Sequence, residues 1–177
     1  MSIRSIALVI NPSRAQTIAA AKELAPLLYS AGFSLYTISD VSIEGIKKVA
    51  PIDLPDIEAA VVLGGDGTIL RAAEITLERG IPLLGINLGN VGFMAEVNRP
   101  SIAAIAESII SKSYVVEERM TLRFEIERDG KEIGNGWALN EVTVERNATT
   151  MVDLFVEIDR RPLSHWGCDG LICATPT

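Results

Sequence analysis

The stretch VVLGGDGTILRAAE, residues 61–74, decides how this chain is expected to fold. An apolar run ends at Leu63, three glycines follow within four positions, and a helical stretch covers about 68–79, with Thr68 as its expected N-cap. Glycines permit a close backbone approach, and free amides at a helix N-terminus attract phosphate. The stretch therefore predicts a strand, a phosphate-binding turn and a helix, which is the unit of a parallel α/β sheet.

The first part of the chain repeats this alternation of strands and helices. Apolar runs that read as strands buried on both faces lie at 6–10, 33–39, 58–63 and 81–88, and helical patterns cover 15–32, 68–79 and about 100–112. Residues 42–57 are ambiguous because Pro51 and Pro55 interrupt them. We therefore expect a Rossmann-like parallel sheet covered by helices on both sides, over residues 1–113.

The pattern changes after about Tyr114 to a period of two. TLRFEIERDGKEIG, residues 121–134, alternates apolar and polar residues around a turn at Asp129-Gly130, which predicts a hairpin. Further strands are expected at 137–145, 151–159 and 169–175, with turns near Asn147 and at residues 160–162. This predicts an antiparallel all-β domain over residues 114–177. We expect it to be incomplete, because the last strand has nothing after it to cover the sheet edge.

Composition limits the classes of partner. The chain has 16 basic and 23 acidic side chains and a net charge of −7, which argues against nucleic acid and anionic membranes as partners. An anionic ligand would need backbone amides, a metal ion or single basic residues to hold it. No run approaches 18 apolar residues, so we expect a cytoplasmic protein. Cys168 and Cys173 do not form a metal-binding spacing, and no protein metal site is predicted.

Asp66 is the unusual member of the glycine turn. The turn lacks the Gly-Lys-Ser/Thr of a Walker loop, and Leu70 stands where a dinucleotide-binding motif has its third glycine. A carboxylate beside a polyphosphate is repelled unless a cation lies between them or its partner is a hydroxyl. Both situations describe a kinase, in which Asp66 accepts a proton or lies near Mg²⁺. The alternative is a tight turn in which Asp66 only hydrogen-bonds the backbone.

Asn140 and Glu141 form a second polar pair, within the predicted strand 137–145. Adjacent residues of a strand point to opposite faces, so both can serve one ligand only at a bend, a bulge or a strand end. An amide offers a donor and an acceptor, and a carboxylate pairs well with ribose hydroxyls. The spacing alone leaves open a solvated glutamate and a turn-forming asparagine.

Four motifs together resemble the NAD kinase family, whose members phosphorylate NAD to NADP. They are GGDGTILRAAE (64–74), GINLGNVGFMAEV (85–97), ALNEVTVER (138–146) and GCDGLICATPT (167–177), and they extend over nearly the whole chain. GGDGT by itself is also similar to the loop of diacylglycerol and sphingosine kinases, with a close variant in phosphofructokinases. Arg71 and the two later motifs favour the NAD kinases.

The resemblance implies a set of site residues. Asp66 matches the proposed proton acceptor for the adenosine ribose 2′-hydroxyl of NAD. The other matches are the phosphate-loop positions Gly64, Gly65 and Thr68, and the NAD-contacting positions Gly67, Arg71, Phe93, Asn140, Glu141 and Asp169. The resemblance also implies ATP or polyphosphate as phosphoryl donor, bound with a divalent metal ion such as Mg²⁺, and a homo-oligomeric assembly.

Two other functions are compatible with the sequence. A lipid kinase of the diacylglycerol type would use the same loop, but the chain shows no basic amphipathic helix for membrane contact. A non-catalytic nucleotide-binding fragment is the other alternative, because the family continues after the TPT of residues 175–177 with further strands that contact the dinucleotide. Some relatives also carry a basic residue between the Asn-Glu pair and Asp169, and Arg146 and Arg160 are the candidates for it.

Overall fold

The structure, a computed structural model, describes residues 4–86, 88 and 101–176. The chain divides into two compact units, Met1–Val116 and Glu117–Thr177. The first unit contains parallel strands and helices, and the second contains antiparallel strands. The predicted fold class is therefore confirmed.

The first unit is built on a five-stranded parallel sheet. Its strands are β1 (Ser5–Ile10), β2 (Ser34–Thr37), β3 (Ile46–Lys48), β4 (Ala59–Leu63) and β5 (Leu83–Ile86), in the spatial order β3-β2-β1-β4-β5. Its helices are α1 (Ala15–Ser30), α2 (Asp66–Thr76) and α3 (Ile102–Ser111). The four predicted strands are all present, and the ambiguous segment 42–57 contains the short strand β3 and a 3₁₀ turn.

Apart from Ser5, the central strands β1 and β4 consist of apolar residues, because both faces of the sheet are covered. Ile6, Leu8 and Ile10 of β1 belong to a buried cluster that includes apolar residues of α1 and α3. Ala7, between them in sequence, joins a smaller cluster on the opposite face, with the segment before β4. Period-two alternation within an all-apolar strand therefore supplies two separate hydrophobic layers.

Arg4 joins three elements at the amino edge of this sheet. Its guanidinium donates to the carboxylate of Glu58, with a distance of 2.8 Å from Nε to Oε2, and to the carbonyls of Ile109 and Ile110 at the end of α3. It also lies 4.3 Å from the ring centroid of Phe33. A cation at the C-terminus of a helix satisfies its last carbonyls and complements its dipole.

The second unit contains three two-stranded antiparallel ladders. Its strands are β6 (Leu122–Arg128), β7 (Lys131–Ala138), β8 (Glu141–Glu145), β9 (Val152–Ile158), β10 (Arg161–Cys168) and β11 (Gly170–Ala174). β6 pairs with β7, β9 with β10, and β8 with β11. Among the described residues, the buried hydrophobic side chains all belong to the first unit, whereas Phe155 and Ile172 are 63% and 70% exposed.

In this unit, two tight turns each connect the two strands of a hairpin. Asp129 and Gly130 connect β6 to β7 with φ of 53° and 71°, as predicted for a hairpin turn. The turn between β9 and β10 uses Asp159 and Arg160, with φ of 52° and 62°. The prediction of a turn at residues 160–162 was therefore displaced by one residue. Proline cannot adopt the positive φ that this turn requires, so Pro162 belongs to β10, beside a register shift.

Candidate functional site

A cleft opens at the carboxyl edge of the parallel sheet, where the loops after β1 and β4 meet. These strands are neighbours, but the chain proceeds from β1 to β2 on one side and from β4 to β5 on the other. Loops that diverge at such a switch point leave a crevice, which is where open α/β sheets bind ligands. The cleft has a volume of about 330 Å³ and is lined by Ile10, Asn11, Pro12, Arg14, Gly65, Asp66, Gly67, Thr68 and Arg71.

The glycine loop forms one wall of this cleft. Five predicted site residues line it together: Gly65, Asp66, Gly67, Thr68 and Arg71. Gly64 directly follows β4 and is buried behind the loop. A Cβ atom at residue 64 would lie 2.6 Å from Cβ of Thr68, so only glycine fits there without displacing the helix.

The start of α2 differs from the sequence prediction. The helix begins at Asp66 with Gly65 as its N-cap, two residues before the expected start, and Thr68 is not the cap. The extended backbone of Gly65, with φ of −100° and ψ of −166°, brings its carbonyl within 2.8 Å of the amide nitrogen of Thr68. Thr68 is already inside the helix and packs over Gly64.

Asp66 is the first residue of α2 and lies in the wall of the cleft, partly exposed. A carboxylate at this end of a helix interacts favourably with the helix dipole. Within the described part of the chain, no hydrogen bond or ion pair engages its side chain. The Asp66 carboxylate is therefore accessible to a ligand in the cleft, and the alternative of a purely structural hydrogen bond to the backbone gains no support.

The opposite wall is the loop after β1, whose residues were not among the predicted site residues. The amide of Asn11 donates to the carbonyl of Leu63 at 3.0 Å, and this bond ties the loop to the end of β4. The side-chain oxygen of Asn11 accepts from the amide of Ser13 at 2.9 Å, and its carbonyl accepts from the hydroxyl of Thr17 at 2.6 Å. The Asn-Pro turn at a strand-to-helix junction was the available signal, but only the strand order brings it beside the glycine loop.

Arg71 extends from the second turn of α2 towards the carboxyl end of β2. Its guanidinium donates to the carbonyl of Ile38 at 3.4 Å. Asp40 follows, and its pKa is held below the usual value mainly by a hydrogen bond from Lys48, with smaller contributions that include the charge of Arg71. Arg71 therefore contacts the loop after β2 as well as lining the cleft.

Asn140 and Glu141 lie in the second unit, at the junction between two strands. Asn140 is in the bend after β7, and Glu141 is the first residue of β8. The carbonyl of Asn140 accepts from the amide of Thr175 at 2.7 Å. The pair thus occupies a strand end, which is one of the positions where neighbouring side chains can serve one ligand.

Asp169 lies at the other end of the same ladder. Its carboxylate is 3.1 Å from Nε of Arg146, and its carbonyl accepts from the amide of Arg146. The register pairs Glu141 with Ala174 and Glu145 with Gly170. Asp169 lies opposite Arg146 and is thus five residues along the ladder from Glu141, about 17 Å at the usual rise of a strand. One ligand could contact both groups only if it were elongated.

Phe93, the remaining predicted site residue, lies outside the described residues. Within residues 4–86, 88 and 101–176, no cluster of three or more His, Cys, Asp or Glu side chains is arranged to hold a metal ion. In the same part of the chain, no helix combines the length and the apolar character needed to cross a membrane. Cys168 and Cys173 are free cysteines.

The known proteins that this chain resembles in sequence are of one kind. Residues 6–114 match the family model of the ATP-NAD kinase N-terminal domain. The chain is 39% identical to an NAD kinase of Thermobifida fusca, over 98% of this chain and 58% of that protein. It is 43% identical to NAD kinase 2 of Streptomyces avermitilis, over 76% of this chain and 45% of that protein. The chain thus spans about half the length of the curated relatives it matches.

A solved structure supports the fold. The crystal structure of yeast NADH kinase complexed with NADH aligns with a TM-score of 0.80 at 21% identity, over 98% of this chain and 55% of that chain. The alignment extends over the parallel sheet and the antiparallel strands, so the order of elements described above has an experimental counterpart.

Proposed function

This chain belongs to the NAD kinase family, and from that membership we propose that the protein transfers a phosphoryl group to the adenosine ribose 2′-hydroxyl of NAD, giving NADP. The observation that carries the proposal is the position of Asp66. Its carboxylate lines a cleft at the switch point of the sheet, next to a glycine loop, and no described residue engages it. A carboxylate in such a place is available to accept a proton from a substrate hydroxyl.

In the proposed reaction, Asp66 takes the proton of the ribose hydroxyl as the hydroxyl oxygen attacks the terminal phosphorus of the donor. The bond between that phosphorus and its bridging oxygen breaks, and the shortened phosphate chain leaves with the bond's electron pair. The glycine loop and the first turn of α2 hold the donor in line with the hydroxyl. Positioning and charge stabilisation would supply most of the rate enhancement.

A divalent metal ion is part of this proposal as a companion of the donor. Mg²⁺ is usually bound by one or two carboxylates together with substrate phosphates. Among the described residues, the cleft offers one carboxylate, that of Asp66, which fits a metal that enters with the donor. Bound there, the ion would neutralise charge on the phosphates.

From the family resemblance we assign dinucleotide contacts to Gly67 and Arg71, and likewise to Asn140, Glu141 and Asp169. Their arrangement supports an elongated ligand, because Asp169 and the Asn140-Glu141 pair lie at opposite ends of one ladder. Phe93 is assigned to the same ligand from the family resemblance alone.

The assembly and the location of the protein are further proposals. We propose a homo-oligomer, supported by the exposed apolar side chains of the second unit, such as Phe155 and Ile172. A cytoplasmic location is supported by the two free cysteines, because thiols persist in a reducing compartment.

Calorimetric titration with NAD, beside an assay of NADP formation, tests the proposed function. The chain is incubated with NAD, Mg²⁺ and either ATP or polyphosphate. Binding of NAD with formation of NADP would support the proposal, and the two donors distinguish ATP from polyphosphate as the source of the phosphoryl group. Binding without turnover would favour the non-catalytic alternative. Absence of NAD affinity would contradict the proposal and leave the lipid kinase as the next candidate.

A further inference from the structure

Charge is the main obstacle to binding a phosphoryl donor in this cleft. The protein carries a net charge of −7, and the cleft wall includes the carboxylate of Asp66. A triphosphate or polyphosphate chain adds several negative charges at the same place. Among the described residues that line the cleft, the cationic side chains are Arg14 and Arg71.

These two arginines differ in their surroundings. Arg71 donates to the carbonyl of Ile38 and lies close enough to Asp40 to affect its pKa. The side chain of Arg14 is exposed and forms no hydrogen bond or ion pair with any described residue. A guanidinium carries five donors in a planar fork that matches phosphate oxygens, and those of Arg14 are uncommitted.

The backbone that carries Arg14 is held in place although its side chain is not. The hydrogen bonds of Asn11 fix the loop to β4 and to the start of α1, and Arg14 itself is the N-cap of α1, without a side-chain cap. Its carbonyl accepts from the hydroxyl of Thr17 at 2.6 Å. The loop therefore holds the backbone of Arg14 in the cleft wall and leaves its guanidinium free to turn towards a ligand.

We propose that Arg14 binds the phosphate chain of the phosphoryl donor, and so determines donor affinity without contributing to NAD affinity. This inference rests on the proposed function, since it names a donor-binding residue of the same cleft. The ligand chemistry is that of a linear polyphosphate, which a nucleoside triphosphate and an inorganic polyphosphate share.

The test is calorimetric titration of the chain with Mg-ATP, with inorganic tripolyphosphate and with NAD. The Arg14→Gln substitution should weaken the affinity for Mg-ATP or tripolyphosphate by at least about tenfold. This is the effect expected from losing charge-assisted hydrogen bonds. NAD affinity should stay within about twofold, inside ordinary experimental scatter. Arg14→Lys keeps the charge without the planar fork and should recover part of the loss.

Lys22→Gln provides the matched control. Lys22 is exposed on the same helix, does not line the cleft, and its replacement removes the same charge. If both variants weaken donor binding equally, a general charge effect is at work and the inference is wrong. Binding of tripolyphosphate as well as Mg-ATP would place the contact on the phosphates, whereas binding of Mg-ATP alone would indicate that the nucleoside is also required.

The result also separates this inference from the proposed function. If Arg14→Gln binds the donor as the parent chain does, the role of Arg14 is refuted while the proposed kinase activity stands. If the variant loses NAD and donor affinity equally, the specific assignment to the donor is refuted. If the parent chain binds no donor, both the proposed function and this inference are contradicted for this chain.

Discussion

Asp66 brings a negative charge into a cleft whose proposed ligand is itself anionic, and this combination makes sense if the carboxylate accepts a proton during the reaction. Asp66→Asn keeps the shape of the side chain and removes its basicity. We expect the rate of NADP formation to fall at least about a hundredfold, the lower range for general base catalysis, with donor and NAD binding largely retained. Initial rates and calorimetric affinities measured on the same preparations check this.

Asp53→Asn is the control for this change. Asp53 is exposed in the 3₁₀ turn before β4 and does not line the cleft, so the rate should be unaffected. Near-normal turnover of Asp66→Asn would rule out its role as the base.

Gly64 shows how the loop depends on the absence of a side chain. An alanine Cβ would lie 2.6 Å from Cβ of Thr68, which is buried and fixed to the helix backbone, so relief requires moving the helix. We expect Gly64→Ala to lower the free energy of unfolding by about 1–3 kcal/mol, the usual cost of overpacking. Urea denaturation followed by circular dichroism measures the change.

Gly67→Ala is the comparison for stability. Gly67 lies in the first turn of α2, where an added methyl group would meet open space, and alanine favours helix by about 0.5–1 kcal/mol. This variant should unfold at an equal or higher urea concentration than the parent. Equal destabilisation by both substitutions would show that crowding against Thr68 is not the cause.

Arg4 and Glu58 act at the level of elements, because they join β1, the start of β4 and the end of α3. The hydrogen bond from Arg4 is the main reason that the pKa of Glu58 lies below its usual value, and nearby charges contribute less. A lowered pKa in the folded state means that the ionised carboxylate stabilises the protein above the unfolded-state pKa of about 4.3, and that this contribution is lost as the pH falls through the folded-state pKa.

Glu58→Gln should therefore be less stable than the parent by about 1 kcal/mol at pH 7, since one charge-assisted hydrogen bond is weakened and the pair is only partly shielded from water. The difference should shrink as the pH is lowered below about 4.3. Urea denaturation at pH 7 and at a series of acidic values measures it. Glu44→Gln, at an exposed glutamate without a described partner, should show no such pH dependence, and a constant difference for Glu58→Gln would contradict the explanation.

Hydrophobic pattern predicted the elements better than it predicted their ends. Apolar runs identified β1 and β4 because both faces of these strands are covered by apolar layers. The start of α2 was misplaced because the residue types favoured Thr68 as a cap, whereas Gly65 takes the extended backbone of the cap and the helix begins at Asp66. A glycine can cap through its backbone alone, so residue type did not mark the position.

The candidate site could be predicted on one wall and not on the other. The glycine loop is contiguous in sequence, so Gly65, Asp66 and Gly67 were recognisable together. Arg14 belongs to the wall because β1 and β4 are neighbours, and strand order is a long-range property that no local pattern encodes. The roles of all these residues stay predictions until the variants are measured.

At the scale of the whole molecule, the two units differ in how their strands are protected. The central strands of the first unit are buried at every position except Ser5, and the strands of the second unit are partly or largely exposed. Backbone opening requires less free energy where few apolar contacts must be broken. We expect amides of β1 and β4 to exchange with deuterium more slowly than those of β9 and β10, measured by hydrogen exchange and mass spectrometry on residues 1–177.

Similar protection in both units would contradict this expectation, because exposure would then not govern local stability. The comparison should use peptides of similar length from the paired regions of β1 with β4 and of β9 with β10, so that both report hydrogen-bonded amides.

The pairing of β1 with β4 also determines when the cleft can come into existence. Ile10 pairs with Leu63, about fifty positions later, so the two walls are synthesised at different times and can meet only after the segment containing β2 and β3 has been synthesised. A nascent chain that has exposed only β1 and α1 possesses Arg14 but no cleft. A ligand that binds the completed cleft would favour the closed sheet by mass action, so its concentration during synthesis would influence how much of the chain reaches the folded state.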